Sequence, residues 1–313
     1  MSNPLSLIPL AAAAKGGSID GLDARQLVAA GLTLLQRCAP LVRELAPGRG
    51  AVLLPNSPAY LVALAACEGR GALLLAPELA AEDVSRTLEA GKAHAVFTER
   101  GSAGSLAENV ATVLLDELPG HVAFVHGSER RTVDVGSHFG LAIEGEEESE
   151  GSDEEAVVVR DPSSGGLRSL THRELLGAAR VVAEAARLAG ADEVLALLPF
   201  NEARGIAAAL LAPLLAGARV TTRSRSGGAS DVDVIERGTV SVVASDPARL
   251  AAIARALHEA GRRLEAPALR LALSVGEALP AGVRDEWERT AGVELVEVSA
   301  PSPSATSRSA HAL

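Results

Sequence analysis

The sequence predicts an α/β protein made of two stacked subdomains, each built on a mainly parallel sheet. Short apolar runs typical of buried strands alternate with helical segments of ten or more residues, and this alternation occurs in both halves of the 313-residue chain. Strands joined by such long crossovers pair in parallel and connect with a right-handed turn. A charged segment near the middle of the chain separates the two series.

The first subdomain is predicted to span residues 1–143. It begins with a helix that Asp23 can cap and that runs to about Leu45. Apolar periodicity then predicts the following elements in order: strand 51–54, a helix to about 69, strand 72–76, helix 81–90, and strands 93–97, 110–115 and 121–125.

The second subdomain is predicted to span residues 156–298, after an acidic linker at residues 144–155. The linker carries eight acidic residues and no basic one, so it is too charged to bury. The second series comprises strands 156–159, 167–170, 193–198, 218–222, 239–244, 269–275 and 294–298. Its helices are predicted to begin at 171 and to span about 203–215, 231–236, 247–260 and 280–291. Residues 299–313 are rich in Ser, Ala and Pro, which predicts a disordered tail.

Composition excludes several classes of function. Of the 29 basic residues only Lys15 and Lys92 are lysines, and no basic patch stands out, so nucleic-acid binding has little support. No apolar run reaches the roughly 20 residues that span a bilayer. The stretch 5–14 lacks a basic leader and contains a proline, which favours a first helix over a signal peptide. The two cysteines, Cys38 and Cys67, indicate buried thiols in a reducing compartment, so a cytoplasmic location without a membrane partner is expected.

A loop of small residues between two predicted strands is the first candidate for a binding site. It contains Ser163, Ser164, Gly165 and Gly166, with Arg168 directly after it. Thr171 and Glu174 then have the spacing of a capping box, which predicts a helix start. Loop amides beside a helix start can cradle phosphate. The same residues are also typical of an ordinary exposed turn, so a phosphate-binding loop and an exposed turn both remain possible interpretations.

Several segments resemble the adenylate-forming enzymes, which include acyl-CoA synthetases, peptide-synthetase adenylation domains and luciferases. In the first half, Leu54-Pro55-Asn56-Ser57, Gly71-Ala72, Pro77-Glu78-Leu79 and the strand 93–98 follow the order of that family's motifs. In the second half, similar segments are Thr171-His172-Arg173-Glu174-Leu175, the passage 211–218 and the turn 274–280. The resemblance covers about residues 20 to 300. It implies the fold of the family's large N-terminal domain without its later C-terminal domain.

The resemblance also implies where ligands would bind. The small-residue loop corresponds to the family's phosphate loop, with Arg168 and Thr171 at its end. The turn with Ser274, Gly276 and Glu277 corresponds to one beside the acyl and adenine pockets. Glu297 is the nearest candidate to rescue a magnesium contact. ATP or AMP with Mg²⁺ would be the cofactors if that pocket survives.

The family's chemistry is eroded in this sequence. Both lysines precede the phosphate loop, so the family's loop lysine and its later catalytic lysine have no counterpart here. Arg168 could supply charge, but its planar fork does not replace a compact ammonium. The family's Tyr-Gly-x-Thr-Glu motif is replaced by Ser299-Ala300-Pro301-Ser302-Pro303. We therefore expect no catalytic and no metal-binding residue. Phe200 is expected to pack in the core, and His172 to have no catalytic role.

The leading hypothesis is a catalytically degenerate synthetase- or ligase-like protein without independent activity. Its role would be binding or assembly beside a complete adenylating enzyme or an acyl-carrier system. The alternative is an active or split adenylate-forming ligase that another chain completes, and a decayed reading frame is the third interpretation. No nucleophile elbow and no dinucleotide fingerprint compete with these hypotheses.

Overall fold

The computed structural model describes residues 15–45, 49–67, 71–103, 106–107, 110–117, 120–135, 153–161, 164–223 and 230–299. The helices of this part are α1 (Ala24–Leu45), α2 (Pro58–Ala66), α3 (Ala81–Ala90), α4 (Arg100–Ala103), α5 (His172–Ala185), α6 (Ala203–Gly205, continued by Ile206–Leu211 and Ala212–Leu215), α7 (Asp231–Glu236), α8 (Pro247–Glu259) and α9 (Val283–Ala291).

The strands of the described residues number fifteen. Those of the first half are β1 (Ser18–Ile19), β2 (Leu22–Asp23), β3 (Arg49–Leu53), β4 (Ala72–Leu74), β5 (Ala93–Thr98), β6 (Ala111–Glu117), β7 (His121–His126) and β8 (Glu129–Asp134). Those of the second half are β9 (Glu155–Arg160), β10 (Leu167–Thr171), β11 (Glu193–Ala196), β12 (Arg219–Thr222), β13 (Val242–Ser245), β14 (Leu271–Gly276) and β15 (Glu294–Ser299).

Two sheets organise the protein, and both have parallel centres. The first sheet has the order β10-β9-β4-β3-β5-β6-β7-β8, and the second has the order β15-β14-β13-β11-β12-β1-β2. Antiparallel pairs occur only toward the edges of these sheets as described, between β9 and β10, β6 and β7, β7 and β8, and β1 and β2. The predicted α/β class with two mainly parallel sheets is therefore confirmed.

The predicted boundary between the subdomains at residue 156 does not match the sheets. Strands β9 and β10 lie in the first sheet, where β9 pairs in parallel with β4. Strands β1 and β2 lie in the second sheet, where β1 pairs with β12. An apolar run such as Ala156–Val159 shows that a strand is buried, but local pattern cannot show which sheet receives it.

The acidic linker was predicted to end at residue 155, but β9 already begins at that residue. Residues 144–152 and the tail beyond 299 lie outside the described residues, so their predictions stay predictions. Asp153 and Glu154 are exposed, as expected. Glu155, in contrast, begins β9 and its carboxylate lies 2.7 Å from the Arg49 guanidinium. Composition alone had predicted that Glu155 belongs to the solvated linker. It can begin a strand because Arg49 balances its charge.

The space between the two sheets is filled mainly by Ala, Leu and Val side chains, with α1, α2, α5 and α6 contributing to one continuous core. Helix α2 is buried along its length, so it is apolar on every side. Helix α1 approaches it at Gly31, where an added Cβ would lie 2.4 Å from the Val62 carbonyl oxygen. A side chain at this position would therefore separate the two helices.

A partly buried ion pair anchors the amino-terminal side of the second sheet to α5. Asp192 accepts hydrogen bonds from Arg270 at 2.9 and 2.8 Å and from the Ser241 hydroxyl at 2.7 Å. Arg270 also donates to the Ala186 carbonyl oxygen just after α5. Burial alone would raise the pKa of Asp192, but the hydrogen bonds from Arg270 and Ser241 outweigh it and lower that pKa.

Candidate functional site

The loops at the carboxyl ends of both sheets line an open cleft of about 540 Å³. Asn56 follows β3, and Arg204 lies in α6. Arg223, Asp246 and Arg249 follow the ends of β12 and β13. Ligands of α/β sheets bind at this edge, outside the carboxyl ends of the strands. We call this the central cleft.

Asn56 ties the two sheets together at the floor of the central cleft. Its Nδ2 donates to the Leu198 carbonyl oxygen at 2.7 Å, and its Oδ1 accepts from the Phe200 amide at 2.8 Å. The loop after β3 and the loop after β11 are thereby joined by one side chain. Phe200 is fully buried and packs edge-on against Tyr60 in α2, with ring centroids 5.4 Å apart. Its expected place in the core is confirmed.

The arginines of the central cleft are already paired with carboxylates. Asp231, at the start of α7, accepts from Arg249 at 2.7 and 3.0 Å and lies 2.6 Å from Arg223. Arg249 also donates to the Leu197 carbonyl oxygen at 3.0 Å. In α6, the Arg204 guanidinium lies 2.6 Å from the carboxylate of Glu202. A phosphate entering this cleft would have to compete with these fixed carboxylates.

The described residues of the candidate phosphate loop lie between the antiparallel strands β9 and β10. The Asp161 amide donates to the Gly166 carbonyl oxygen, and the Gly165 amide donates to the Asp161 carbonyl oxygen, both at 2.8 Å. The Gly166 amide donates to the Ser164 hydroxyl at 3.2 Å. Ser164, Gly165 and Gly166 are exposed, and Ser163 lies outside the described residues. These amides thus bond within the turn, and their role toward phosphate stays a prediction.

Thr171 forms the predicted capping box at the start of α5. Its hydroxyl accepts from the Glu174 amide at 3.2 Å, and its own amide donates to the Glu174 carboxylate at 2.8 Å. His172 follows as a buried residue, and burial lowers the pKa of its imidazole. The polar groups of Thr171 are therefore engaged in the helix start.

A second and smaller pocket of about 310 Å³ lies beside the central cleft, and the two share Asn201, Glu202 and Arg204. Its walls are mostly apolar and include Leu74, Leu79 and Val159. Arg168 also lines it, and the Arg168 Nε is buried without a hydrogen-bond partner among the described residues. We call this the Arg168 pocket.

The second group of predicted binding residues lies around the end of β14. Ser274 is buried, and its hydroxyl has no hydrogen-bond partner in the described part of the chain. Gly276 has a φ of +120°, and an added Cβ would lie 2.9 Å from an Arg204 nitrogen. Glu277 is exposed. Arg204 therefore connects Gly276 with the Arg168 pocket, which sequence reasoning had not foreseen.

Glu297 is engaged on β15 and lines neither the central cleft nor the Arg168 pocket. Its carboxylate accepts from the Leu279 amide at 3.2 Å and pairs with Arg284. The hydrogen bonds from Leu279 and Arg284 lower the pKa of Glu297. Its expected contact with magnesium therefore stays a prediction.

Among the described residues, no group of three or more His, Cys, Asp or Glu side chains could hold a metal ion. No helix in the same ranges is both long and apolar enough to cross a membrane.

Sequence reasoning missed the central cleft's charge pairs and the bridge at Asn56. Asn56 lies within the Leu54-Pro55-Asn56-Ser57 segment, which carried the resemblance but had been given no role. Its place in that motif was the signal that could have identified Asn56 as a functional residue. The pairing of Asp231 with Arg249 could not be predicted from the sequence, because an acidic and a basic residue 18 positions apart are common in any sequence.

Residues 168–300 match the sequence pattern of the AMP-binding enzyme family. A comparison with curated protein sequences finds no match. Among solved structures, apo MatB from Rhodopseudomonas palustris superposes with a TM-score of 0.67 at 16% identity, covering 94% of this chain and 59% of that one. The anthranilate CoA ligase AuaEII, solved with anthranoyl-AMP, has a TM-score of 0.68 at 16% identity, covering 94% and 59%.

A nonribosomal peptide synthetase, FmoA3, has a TM-score of 0.68 at 19% identity, covering 96% of this chain and 32% of that one. The chain thus spans between about a third and three fifths of the length of these proteins. At these identities the likeness shows the fold. Residues 168–300 match the AMP-binding enzyme family, and the fold of the chain is that of the N-terminal domain of adenylate-forming enzymes.

Proposed function

We propose that this chain is a catalytically degenerate relative of the adenylate-forming enzymes, which binds a ligand without activating it. The proposal rests on one observation: the arginines of the central cleft are paired with fixed carboxylates. Asp231 holds Arg223 and Arg249, and Glu202 holds Arg204. Adenylation requires cations that are free to stabilise charge on a triphosphate.

The two lysines support the same proposal. Lys15 is exposed, and Gly217 approaches its backbone carbonyl oxygen. Lys92 is exposed in the turn between α3 and β5. Neither residue lines the central cleft or the Arg168 pocket. The partner of such a chain would be a complete adenylating enzyme or an acyl-carrier system, and its compartment would be the cytoplasm.

Carboxylate-dependent exchange of pyrophosphate into ATP tests this proposal directly. We expect no exchange by the chain alone, and we expect calorimetry to give a dissociation constant for Mg·ATP above about 1 mM, which corresponds to about −4 kcal/mol. Exchange by the chain alone, dependent on an added carboxylic acid, would show that the active ligase is the correct interpretation.

Asp231→Asn tests whether charge pairing is the cause. This change keeps the side-chain shape and releases Arg223 and Arg249, so we expect nucleotide affinity to rise at least about fivefold, because a unit charge at 4 Å in water is worth about 1 kcal/mol. Asp285→Asn is the matched control, since Asp285 also lies in the first turn of a helix. Equal affinities of the two variants would contradict the proposed role of the pairing.

A split ligase is the second candidate, and Arg168 favours it. Its buried Nε has no partner among the described residues, so its charge differs from those of the cleft arginines, which fixed carboxylates balance. Pyrophosphate exchange that requires both this chain and a second polypeptide, and that Arg168→Gln abolishes, would support this alternative.

A further inference from the structure

Helix α6 has a wide turn in its middle, Ile206–Leu211, between two ends with α-helical hydrogen bonds. At the first end, the Ile206 amide donates to the Glu202 carbonyl oxygen at 2.9 Å. At the second end, the Ala216 amide donates to the Ala212 carbonyl oxygen at 3.2 Å. Between them, the Ala212 amide reaches one residue further back, to the Ala207 carbonyl oxygen. Such a bond encloses one residue more than an α-helical bond does, so the wide turn holds one surplus residue.

A constraint on each side keeps the surplus residue in the wide turn. On the first side, Gly205 is pressed against the Pro199 carbonyl oxygen, from which an added Cβ would be 1.7 Å away. On the second side, Pro213 is buried within α6 and has no amide hydrogen. In a regular α-helix its ring would collide with the carbonyl oxygen of Ala209, and a wider turn relieves that collision. The wide turn therefore depends on contacts at its two ends.

The residues of the wide turn can change register with little change in packing. All six are buried, and residues 207–209 are three alanines in succession. A shift by one residue therefore exchanges alanine for alanine in the middle of the turn, while it moves an end by about 1.5 Å and turns it by about 100°. Asn201, Glu202 and Arg204, just before the turn, line both the central cleft and the Arg168 pocket. A register shift would therefore move the wall that the two cavities share.

Arg204 can move with this wall. Its Nε donates to the Glu202 carboxylate at 2.6 Å, and this partner lies on the same segment, so the pair does not fix the segment to another element. Its guanidinium lies over Gly276, where an added Cβ would be 2.9 Å from a nitrogen of Arg204. Arg249, in contrast, is fixed across elements, because it donates to Asp231 and to the Leu197 carbonyl oxygen. Arg204 is thus held less firmly than Arg249.

We propose that the wide turn is a register-shift element that moves the wall between the two cavities. In the observed register the surplus residue lies in the turn, and Arg204 lies over Gly276. In the second register the turn tightens to an α-helix and the surplus residue passes to the segment 199–205. The contact between Gly205 and Pro199 then breaks, and Arg204 leaves Gly276. Both cavities change shape together while the core stays folded, whether or not the protein activates a ligand.

Methyl relaxation dispersion on the wild-type chain tests the proposal, because helix register shifts occur in microseconds to milliseconds. We expect exchange at the Ile206 methyl groups, with the same rate at the Nε–H of Arg204. Ile253, which is buried in the regular helix α8, is the matched control and should show no exchange. A flat profile at Ile206 would overturn the proposal, as would unequal rates at Ile206 and Arg204.

A deletion tests whether one residue is in surplus. Removing Ala208 from the Pro213→Ala variant allows a continuous α-helix with both ends in their observed places. We expect this protein to fold, to keep the urea midpoint of Pro213→Ala, and to show no exchange at Ile206. Removing Ala252 from α8 is the control, because it turns the two halves of a regular helix by about 100° relative to each other and should lower the midpoint strongly. Equal damage by the two deletions would overturn the proposal, as would exchange at Ile206 that survives the loss of Ala208.

Discussion

Replacing Asn56 with alanine tests how the two sheets are held together at the central cleft. The change removes both hydrogen bonds that join the loop after β3 to Leu198 and Phe200. The partners lie 142 and 144 residues further along the chain, so no local structure replaces the bridge. We therefore expect the loss to weaken the packing of one sheet on the other.

The magnitude follows from the two bonds. Each net hydrogen bond contributes about 0.5–1.5 kcal/mol, and a partner left unsatisfied adds a penalty of about 1–3 kcal/mol where water cannot reach it. Because the site is only partly buried, water replaces some of what is lost. We expect the free energy of unfolding of Asn56→Ala to fall by about 2–3 kcal/mol.

Urea denaturation followed by two probes measures the effect. Trp287 is the single tryptophan and is fully buried beneath the second sheet, so its fluorescence reports that sheet. Circular dichroism reports the whole chain. If Asn56 couples the sheets, its loss should lower the tryptophan midpoint even though Asn56 lies in a first-sheet loop.

Asn201→Ala is the matched control for Asn56→Ala. Asn201 lines the same cleft, and none of the described hydrogen bonds involves its side chain, so we expect a change within about 0.5 kcal/mol. If Asn56→Ala were as stable as Asn201→Ala, or if only circular dichroism shifted, the bridge would not hold the sheets and this reasoning would be wrong.

Three further predictions concern stability. Gly205→Ala places a methyl group 1.7 Å from the Pro199 carbonyl oxygen, so we expect the free energy of unfolding to fall by more than about 4 kcal/mol. Gly177→Ala lies in a helix and meets open space, so in urea titrations we expect the free energy of unfolding to rise by about 0.5–1 kcal/mol. Thr171→Ala should cost about 1 kcal/mol by the same measurement, because a helix cap is lost. The lowered pKa of Asp192 stabilises the fold above the unfolded pKa of about 3.9, and this contribution disappears as pH falls through the folded pKa. Asp192→Asn should therefore lose less stability than wild type on acidification, whereas an equal loss would contradict this assignment.

Much of the secondary structure was predictable because apolar periodicity reports burial directly. Helices α3 and α7 have the predicted bounds, and most strands agree within a few residues. The short strands β1 and β2 and the exposed strand β8 were not predicted. The first two contain only two residues each, and β8 is largely exposed, so none shows a clear alternation of apolar residues.

The predicted helix from 203 to 215 was correct in extent but not in geometry. Its middle part, Ile206–Leu211, has π-helical hydrogen bonding. The sequence IAAALL is apolar throughout and favours no particular register. Gly205 lies directly before it, pressed against the Pro199 carbonyl oxygen. This tertiary contact is the constraint that local propensity could not express.

The loops that line the central cleft were predictable as loops that follow strands, but their charge pairs were not. Of the predicted binding residues that the structure describes, only Arg168 lines one of the two pockets. The motifs could not show that Asp231 neutralises Arg223 and Arg249, because the pairing depends on how α7 sits over the ends of β12 and β13. The number of arginines in a sequence therefore overstates the positive charge that a ligand meets.

The same pairing also determines what kind of anion the protein can hold. A polyanion gains most where several cations converge, and in the central cleft the converging cations are already balanced by Asp231 and Glu202. Arg168 is different, because its buried Nε has no partner in the described part of the chain, although other charged residues also line its pocket.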